Sequence, residues 1–491
     1  MRRENWTKNL GTTCSNICRI TLVILLFINL AACGGGGGAS PAGVISVAGI
    51  TPSSSTAQVA VSATISATFS SDMDPATLSS STFLITSPYG TIPGTVSYSS
   101  ASKTATFTPL TPFFPLTGFS ATITTGAKDT AGRSLASNFN WAFTTTQRDF
   151  TVLGNTALRS GTGAKGLIYG GAAGMSALET DTLFAAAYAG ESGMLVPESE
   201  LKWNALRPTP DTFDFTGGDW LLSFAQANNM LFRGHNLVWH QALPSWFSSY
   251  MTPANAEQML VNHISTVVGR YAGKVHSWDV VNEAIAPWEN GPDGLRTSSP
   301  WYQLLGDRYI DIAFRSAAAA DPNALLVYNE SGLEYDTPEA DVKRADVLNL
   351  LGKLKAAGTP VHALGIESHL RGAETRFNPD KLRAFLNGVA SLGLKIMVTE
   401  LDVSDQNLPA DTTIRDQIVA GAYEDYLSTV LQEPAVIAVM TWGMSDKYSW
   451  LSSFKPRTDG LPVRPLPLDA TFNRMLAWNA MTRAIGATFN R

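Results

Sequence analysis

The chain has 491 residues, which is enough for more than one domain. Its formal net charge of −6 at pH 7 gives no electrostatic basis for binding nucleic acid, so that class of partner is excluded. Its 3 cysteines are Cys14, Cys18 and Cys33, so the rest of the chain can form neither a disulfide framework nor a thiolate metal site.

The first residues have the pattern of a secretion signal. Arg2, Arg3 and further basic residues precede an apolar run over 20–30, which is too short to span a bilayer as a mature helix. The run ends in Leu-Ala-Ala-Cys, which resembles a bacterial lipobox and predicts that Cys33 becomes a lipid-bearing N-terminus after cleavage. We therefore predict a signal peptide over 1–32, a flexible Gly-rich tether over 33–43, and an enzyme anchored by lipid at the bacterial cell envelope. An ordinary signal peptide cut near Ala32 is the alternative.

Residues 44–146 are rich in Ser and Thr and contain short alternating strands separated by turn residues at close intervals. This pattern predicts an antiparallel sandwich, and the order of its segments resembles that of bacterial Ig-like domains. Trp141 lies in an alternating strand, which predicts a core position. We predict a spacer domain, with a carbohydrate-binding module as the alternative.

Residues 150–491 alternate strand-like and helix-like runs, which predicts a (β/α)8 barrel, also called a TIM barrel. The predicted strands cover 166–171, 193–197, 231–237, 275–281, 324–329, 362–368, 394–400 and 436–442. The predicted helices include 255–271, 302–320, 340–357, 379–392 and 413–431. The whole chain is thus predicted to be an α/β barrel preceded by a small all-β domain.

Unusual polar and aromatic residues cluster where these predicted strands end. The fourth strand delivers Asn282 and Glu283, and the seventh delivers Glu400 and Asp402. The other strands deliver Glu198, Lys202, His235, Trp239, Asn329, Glu367, His369, Trp442 and Trp450. Carboxylates and amides that can bind hydroxyl groups, together with indoles that can stack on sugar rings, predict a neutral polyhydroxylated ligand. Two strand-end carboxylates further suggest an acid/base and nucleophile pair.

These motifs resemble glycoside hydrolase family 10, the endo-1,4-β-xylanases, over essentially all of 150–491. The segments that carry the resemblance are Trp-Asp-Val-Val-Asn-Glu-Ala, Arg-Gly-His-Asn-Leu-Val-Trp-His, Thr-Glu-Leu-Asp-Val and Trp-Gly-Met-Ser-Asp-Lys-Tyr-Ser-Trp. The resemblance implies a retaining enzyme in which Glu283 is the acid/base and Glu400 is the nucleophile. Asn282 is then expected to hold the sugar 2-hydroxyl.

The remaining roles follow from the same resemblance. His369 and Asp402 are expected to support the nucleophile, and Glu283 is expected to stay protonated because a neighbouring negative charge raises its pKa. The expected substrate contacts are Glu198, Lys202, His235, Trp239, Asn329, Glu367, Trp442 and Trp450. No metal and no cofactor are predicted, and the partners are xylan, xylo-oligosaccharides and the membrane that holds the anchor. The protein is expected to be a monomer.

The chain departs from the family pattern at five positions. Ser199 stands where the family usually has Asn, Ala242 where it has Gln, Glu330-Ser331 where it has Asp-Tyr, and Glu367 where it has Gln. These changes affect the expected subsite preference and pH optimum, since the two catalytic carboxylates are present. Two other hypotheses stay open: a barrel glycosidase acting on another β-1,4-glycan such as a glucan, and a surface glycan-binding protein without catalysis.

Overall fold

A computed structural model describes residues 45–491 of the chain. The predicted signal peptide, the tether and Cys33 lie outside the described residues. No helix between residues 45 and 491 is both long enough and apolar enough to cross a membrane.

Residues 47–145 form a two-sheet β-sandwich. One sheet has the order Val47–Thr51, Ile65–Phe69, Thr104–Pro109, Gly94–Ser99, and all its pairs are antiparallel. The other has the order Thr56–Val59, Phe139–Thr145, Gly118–Ile123, Phe83–Ser87, Gly90–Thr91. Side chains alternate between the inside and the outside of each sheet because successive residues of a strand point to opposite faces. Trp141 lies in the core between the sheets, against Phe83, so its predicted core position is confirmed.

The remainder of the described chain contains eight parallel strands that close into a barrel. We label them β1 (Ile168–Ala173), β2 (Met194–Pro197), β3 (Leu231–Gly234), β4 (Ser277–Asn282), β5 (Leu325–Glu330), β6 (Ala363–Ile366), β7 (Lys395–Ser404) and β8 (Val436–Thr441). Neighbours in sequence pair in parallel, and β1 pairs with β8, which closes the sheet. The predicted α/β barrel with an N-terminal all-β sandwich is confirmed.

A long helix follows each barrel strand. These helices are Thr182–Glu191, Thr216–Ala227, Ala256–Arg270, Arg308–Ala320, Pro338–Ala356, Pro379–Ser391, Thr412–Val430 and Leu476–Ala487. Shorter α-helices cover Leu158–Gly163, Met175–Thr180, Trp203–Leu206, Phe247–Tyr250, Pro300–Leu305 and Leu451–Phe454. Single 3-10 turns cover Pro75–Thr77, Pro287–Glu289, Pro292–Gly294 and Asp446–Tyr448.

Two boundaries differ from the sequence prediction in ways that affect the site. The predicted helix over 302–320 is wrong as a single helix, because Gly306 adopts φ +64° and separates two helices. The sixth strand ends at Ile366 rather than at 368. Ser368 then adopts a left-handed φ of 65°, and the short strand His369–Arg371 pairs with β7. That turn places His369 opposite Asp402 in the register of the two strands.

The sandwich contacts the barrel through the segment that joins them. The Arg148 guanidinium lies 2.6 Å from the Glu424 carboxylate and 2.7 Å from that of Asp425, both on the helix after β7. Gln417 of the same helix hydrogen-bonds both the backbone N–H and the backbone carbonyl of Arg148. Phe150 is buried in the barrel core. The joining segment is therefore a packed part of the barrel rather than a loose linker.

Candidate active site

The candidate site lies at the carboxyl ends of the barrel strands, where the side chains of the loops converge. In this fold the strands and helices form the rigid body, and the loops after the strands carry the chemistry. The sequence-predicted residues fall on this rim in the structure, on or directly after β2, β3, β4, β5, β6, β7 and β8. Their mutual contacts decide which of them can act together.

Glu283 follows the last residue of β4 and has a left-handed φ of 54°. A non-glycine residue pays roughly 1–2 kcal/mol for that conformation, and the Glu283 N–H is held by the Asn329 carbonyl at 2.9 Å. Its carboxylate accepts a hydrogen bond from Trp239 Nε1 at 3.0 Å. Arg296 Nε donates to the Glu283 carbonyl at 2.9 Å. The carboxyl is thus fixed in position and largely shielded from water.

The pKa of Glu283 is raised above its ordinary value. Burial is the largest cause, followed by the negative charge of Glu330, and the charge of Glu400 is a smaller one. The hydrogen bond from Trp239 and the charge of Arg296 oppose the rise in pKa. The sequence argument gave the neighbouring charge as the cause, whereas the structure makes desolvation the first cause of the raised pKa.

Glu400 lies within β7 and has the opposite character. Burial would raise its pKa, but the hydrogen bond from His369 and the charges of His235, His369 and Lys202 lower the pKa to about 2. Its Oε1 accepts from Asn329 Nδ2 at 2.9 Å, and its Oε2 lies 3.3 Å from His369 Nε2. Glu400 is therefore an ionised carboxylate with a defined orientation.

His369 links the nucleophile candidate to Asp402. Its Nδ1 lies 3.0 Å from Asp402 Oδ1, and Trp450 Nε1 donates to Asp402 Oδ2 at 2.7 Å. Burial lowers the pKa of His369, but the neighbouring carboxylates of Asp402 and Glu400 raise that pKa well above the ordinary value. The imidazolium bridges two carboxylates, and Trp450 anchors the far one. The Trp450 N–H therefore has a structural role besides any stacking on substrate.

Asn329 and Glu367 lie between the two catalytic candidates. The Asn329 amide is buried and donates to Asn282 Oδ1 at 2.7 Å, to Glu400 Oε1 and to Glu367 Oε1 at 3.3 Å. The sequence predicts that Asn329 contacts substrate, and this stays a prediction; in the structure its buried amide contacts three polar side chains. Burial and the charges of Glu400 and Glu283 raise the pKa of Glu367 well above its ordinary value.

A second group of predicted residues lines one side of the cleft. The Lys202 ammonium lies 5.1 Å from the Trp239 ring centre and 5.6 Å from that of Trp442. His235 packs edge-on against Trp442 at 4.9 Å. Burial raises the pKa of Glu198, and burial lowers that of Lys202. Two indoles around one ammonium make a surface that suits a sugar ring with hydroxyl groups at its edge.

Sequence reasoning missed two buried acids that support this site. Asp279 lies inside β4, where its carboxylate holds Arg233 and His235 Nδ1, the latter at 2.9 Å. Glu330, at the end of β5, holds the Lys343 ammonium at 2.7 Å and accepts from the Ile285 N–H at 3.0 Å. The available sequence signal for Asp279 was an Asp within an otherwise apolar strand. No local pattern pairs Glu330 with Lys343, which lies a helical turn and a loop away.

The arrangement provides one carboxyl with a raised pKa and one with a lowered pKa, on or directly after two different strands of a closed barrel. Such a pair can deliver a proton to a leaving oxygen from one side and attack the bonded carbon from the other. Glu367, His369 and Glu400 also present ligand atoms within 4.8 Å of one another, so they could hold a cation.

Comparison with known proteins gives this geometry a family context. The sequence model described as "Glycosyl hydrolase family 10" matches residues 157–484, and the one described as "Bacterial Ig-like domain" matches residues 43–145. Endo-1,4-beta-xylanase C of Phanerodontia chrysosporium is 35% identical over 327 residues, covering 66% of this chain and 78% of the relative. The beta-1,4-xylanase of Dictyoglomus thermophilum is 35% identical over 289 residues, covering 57% of this chain and 78% of that protein.

Solved structures agree with the sequence matches. Native xylanase 10B of Thermotoga maritima is 32% identical, with a TM-score of 0.61, and the match covers 67% of this chain and 98% of that one. Xylanase 10B of Thermotoga petrophila, solved in complex with xylobiose, is 30% identical with a TM-score of 0.60, and the match covers 68% and 98% of the two chains.

Proposed function

Because the chain belongs to glycosyl hydrolase family 10 and is therefore a glycoside hydrolase, we propose that it hydrolyses internal β-1,4-xylosidic bonds of xylan. The relatives named endo-1,4-beta-xylanase and the neighbour that holds xylobiose support this substrate. The observation that carries the proposal is the opposed pKa shift of two carboxyls on β4 and β7, up for Glu283 and down for Glu400.

The reaction is a double displacement with retention of configuration, which is general in the family. Glu400 attacks the anomeric carbon, the glycosidic C–O bond breaks, and the Glu283 proton passes to the leaving oxygen. Water then attacks the same carbon, Glu283 takes a proton from that water, and Glu400 departs as a carboxylate. We expect the two carboxyl groups to be roughly 5–5.5 Å apart, the spacing of retaining enzymes.

Paired variants test these roles. Glu400→Ala should abolish turnover on every substrate, because no covalent intermediate forms without a nucleophile. Glu283→Ala should lose most activity on xylan, yet still react with aryl xylobiosides whose good leaving groups need little protonation. Azide added to this second variant should give a β-glycosyl azide, since the anion takes the place of the missing carboxylate.

The wild-type reaction gives an independent measurement of the same mechanism. Proton NMR of the first products should show the β-anomer. An early α-anomer, or equal behaviour of the two alanine variants on activated substrates, would contradict the assigned roles. Comparison of xylan with carboxymethylcellulose and mixed-linkage glucan tests the substrate, because faster hydrolysis of a glucan would make the enzyme a glucanase.

We further propose that the enzyme is held at the cell envelope by a lipid on Cys33, with the glycine-rich tether over 33–43 as a spacer. The support is the Leu-Ala-Ala-Cys motif after a short apolar run. Cells expressing Cys33→Ala should release the enzyme from the membrane fraction, whereas the wild type should remain there. An unchanged distribution between fractions would contradict lipid anchoring.

A further inference from the structure

Two carboxylates and one imidazole converge beside the nucleophile in a way that the glycosidase reaction does not require. The Asn329 amide holds Oε1 of both Glu400 and Glu367. This leaves Oε2 of each carboxylate facing His369 Nε2, at 3.3 Å for Glu400 and at 3.9 Å for Glu367. The three potential ligand atoms therefore lie within 4.8 Å of one another.

Of the three potential ligand atoms, Glu367 Oε2 is the one whose position is least explained by the contacts described above. The Glu367 residue is 3% exposed, and among residues 45–491 its Oε2 accepts no hydrogen bond. The family pattern has Gln at this position, which would bring a neutral amide to the same point. This chain instead places a third carboxyl, which must ionise to bind a cation, beside the pair formed by His369 and Glu400.

The second ring nitrogen of His369, Nδ1, has the kind of partner that a metal-binding His has in metalloproteins. A metal-binding His usually donates its second ring N–H to a carboxylate, which fixes the tautomer and makes the free nitrogen a better ligand. Here His369 Nδ1 lies 3.0 Å from Asp402 Oδ1, and Asp402 is in turn held by Trp450. The imidazole is thus oriented with Nε2 toward the two carboxylates, and a bound ion would replace the proton on Nε2, because a ligating His is neutral.

The spacing suits a small transition-metal ion. Tetrahedral Zn²⁺ with bonds of about 2.0–2.2 Å to N and O separates its ligand atoms by roughly 3.3–3.5 Å. The separations from His369 Nε2 need to change by at most a few tenths of an ångström to reach that range. One imidazole and two carboxylates also leave a fourth position for water. His369 lines a cleft of about 370 Å³, and its side chain is 23% exposed, so solvent can reach this member of the cluster.

We propose that Glu367, His369 and Glu400 form a binding site for a divalent first-row transition-metal ion, and that the bound ion inhibits the enzyme by occupying the nucleophile. The binding is independent of the proposed xylanase function, whereas the inhibition rests on it. Hard ions such as Mg²⁺ should bind poorly, because an imidazole nitrogen is not among their preferred ligands.

Isothermal titration calorimetry of the tag-free full chain with ZnCl₂ tests the binding. One ion should bind per chain, and MgCl₂ should give no comparable heat. Glu367→Gln replaces one ligand by a near-isosteric amide and should weaken zinc binding on the order of 10–100-fold, the scale of disrupting a metal site. Glu334→Gln is the matched control: it removes a buried carboxyl that accepts from the Ser368 N–H but lies outside the cluster. This control should bind zinc like the wild type.

A competition experiment covers the case in which Glu367→Gln does not fold. Saturating xylobiose should weaken zinc binding to the wild type, and zinc should inhibit hydrolysis competitively. Equal zinc affinity of wild type and Glu367→Gln would overturn the site, and so would zinc binding that xylobiose leaves unchanged in a protein that hydrolyses xylan. If zinc binds as expected but xylan is not hydrolysed, the proposed function fails and the metal site stands.

Discussion

Glu283 and Glu400 differ in what surrounds each carboxyl. Glu283 is buried near Glu330, and only the hydrogen bond from Trp239 and the charge of Arg296 favour its charged form among the causes of its pKa shift. Glu400 is buried too, but it faces an imidazolium and an ammonium. Burial raises the pKa of both groups, and the local charges then decide the sign. The acid and the nucleophile are therefore assigned by their neighbours.

Replacing Trp239 by Phe should shift one limb of the pH profile. The Trp239 N–H stabilises the ionised form of Glu283 and so lowers its pKa. Without that hydrogen bond the pKa of Glu283 rises, so Glu283 keeps its proton to higher pH and the alkaline limb of kcat/KM moves up. The acid limb reports Glu400 and should stay in place. The measurement is kcat/KM against pH on xylotetraose, whose leaving group needs the Glu283 proton, and an alkaline limb that moves down would contradict the assignment.

For single residues, the sequence predicts which residue types reach the site, but it predicts fewer of the contacts between those residues. The motif Trp-Asp-Val-Val-Asn-Glu places Glu283 at a strand end, and the strand period alone predicts that position. The buried contact between Asp279 and His235 depends on the register of β3 against β4. Likewise the role of Asn329 depends on three side chains from different strands, which no local pattern specifies.

Glu330, at the end of β5, is one of the positions at which this chain departs from the family pattern, and its contacts link β5 to the next helix. Glu330 is fully buried, and its two oxygens meet Lys343, the Ile285 N–H and the Tyr328 hydroxyl. Lys343 also lies 5.4 Å from the ring centre of exposed Trp288. An ion pair between the strand end and the helix Pro338–Ala356 therefore holds the rim beside Glu283.

Removing one member of this pair should destabilise the barrel. Lys343→Met leaves the Glu330 charge buried without its cation, which typically costs about 3–5 kcal/mol. The double variant Glu330→Gln with Lys343→Met removes both charges and should recover part of that loss. Urea denaturation of the wild type, both single variants and the double variant measures the coupling. Strictly additive free energies of unfolding would show that the two side chains do not interact.

The bounds of the long periodic helices are predicted from the sequence to within a few residues. Breaks within a predicted helix are not predicted. The helix predicted over 413–431 is observed as Thr412–Val430, with Asp411 capping its first N–H groups. Gly306 interrupts the helix predicted over 302–320, because one glycine in a periodic pattern is compatible with either a continuous helix or a break.

On the scale of the whole molecule, the sandwich and the barrel are joined by a segment that is part of the barrel's packing. Arg148 carries two ion pairs to the helix after β7, and its side chain is only 16% exposed. Burial raises the pKa of Asp425 to about 6, and Arg148 opposes that rise. A sequence-based domain boundary near residue 150 does not reveal these contacts, since the partners lie more than 260 residues apart.

The choice of starting residue should therefore decide how a truncated enzyme behaves. A chain that begins at Gln147 keeps Arg148 and Phe150, and it should retain both its stability and its rate on soluble xylo-oligosaccharides. A chain that begins at Thr151 leaves Asp425 without its cation and also removes Phe150 from the barrel core, so it should lose at least about 3 kcal/mol of unfolding free energy, the lower end for breaking a buried pair. Its rate at temperatures where it is folded should be unchanged, because the proposed site residues all lie beyond Thr151. Thermal unfolding and initial rates on xylotetraose measure the two effects separately.

Point variants in the full chain separate the ion pairs from the loss of the sandwich itself. Arg148→Met should lower the unfolding free energy of the barrel by a similar amount. Arg133→Met is the matched control, because Arg133 pairs with Asp129 inside the sandwich and is 43% exposed.

If both truncated chains were equally stable, the Arg148 contacts would contribute nothing to the barrel. A large loss of the soluble-substrate rate in the Gln147 chain would instead show that the sandwich takes part in catalysis. A loss confined to insoluble xylan would make the sandwich a carbohydrate-binding module rather than a spacer.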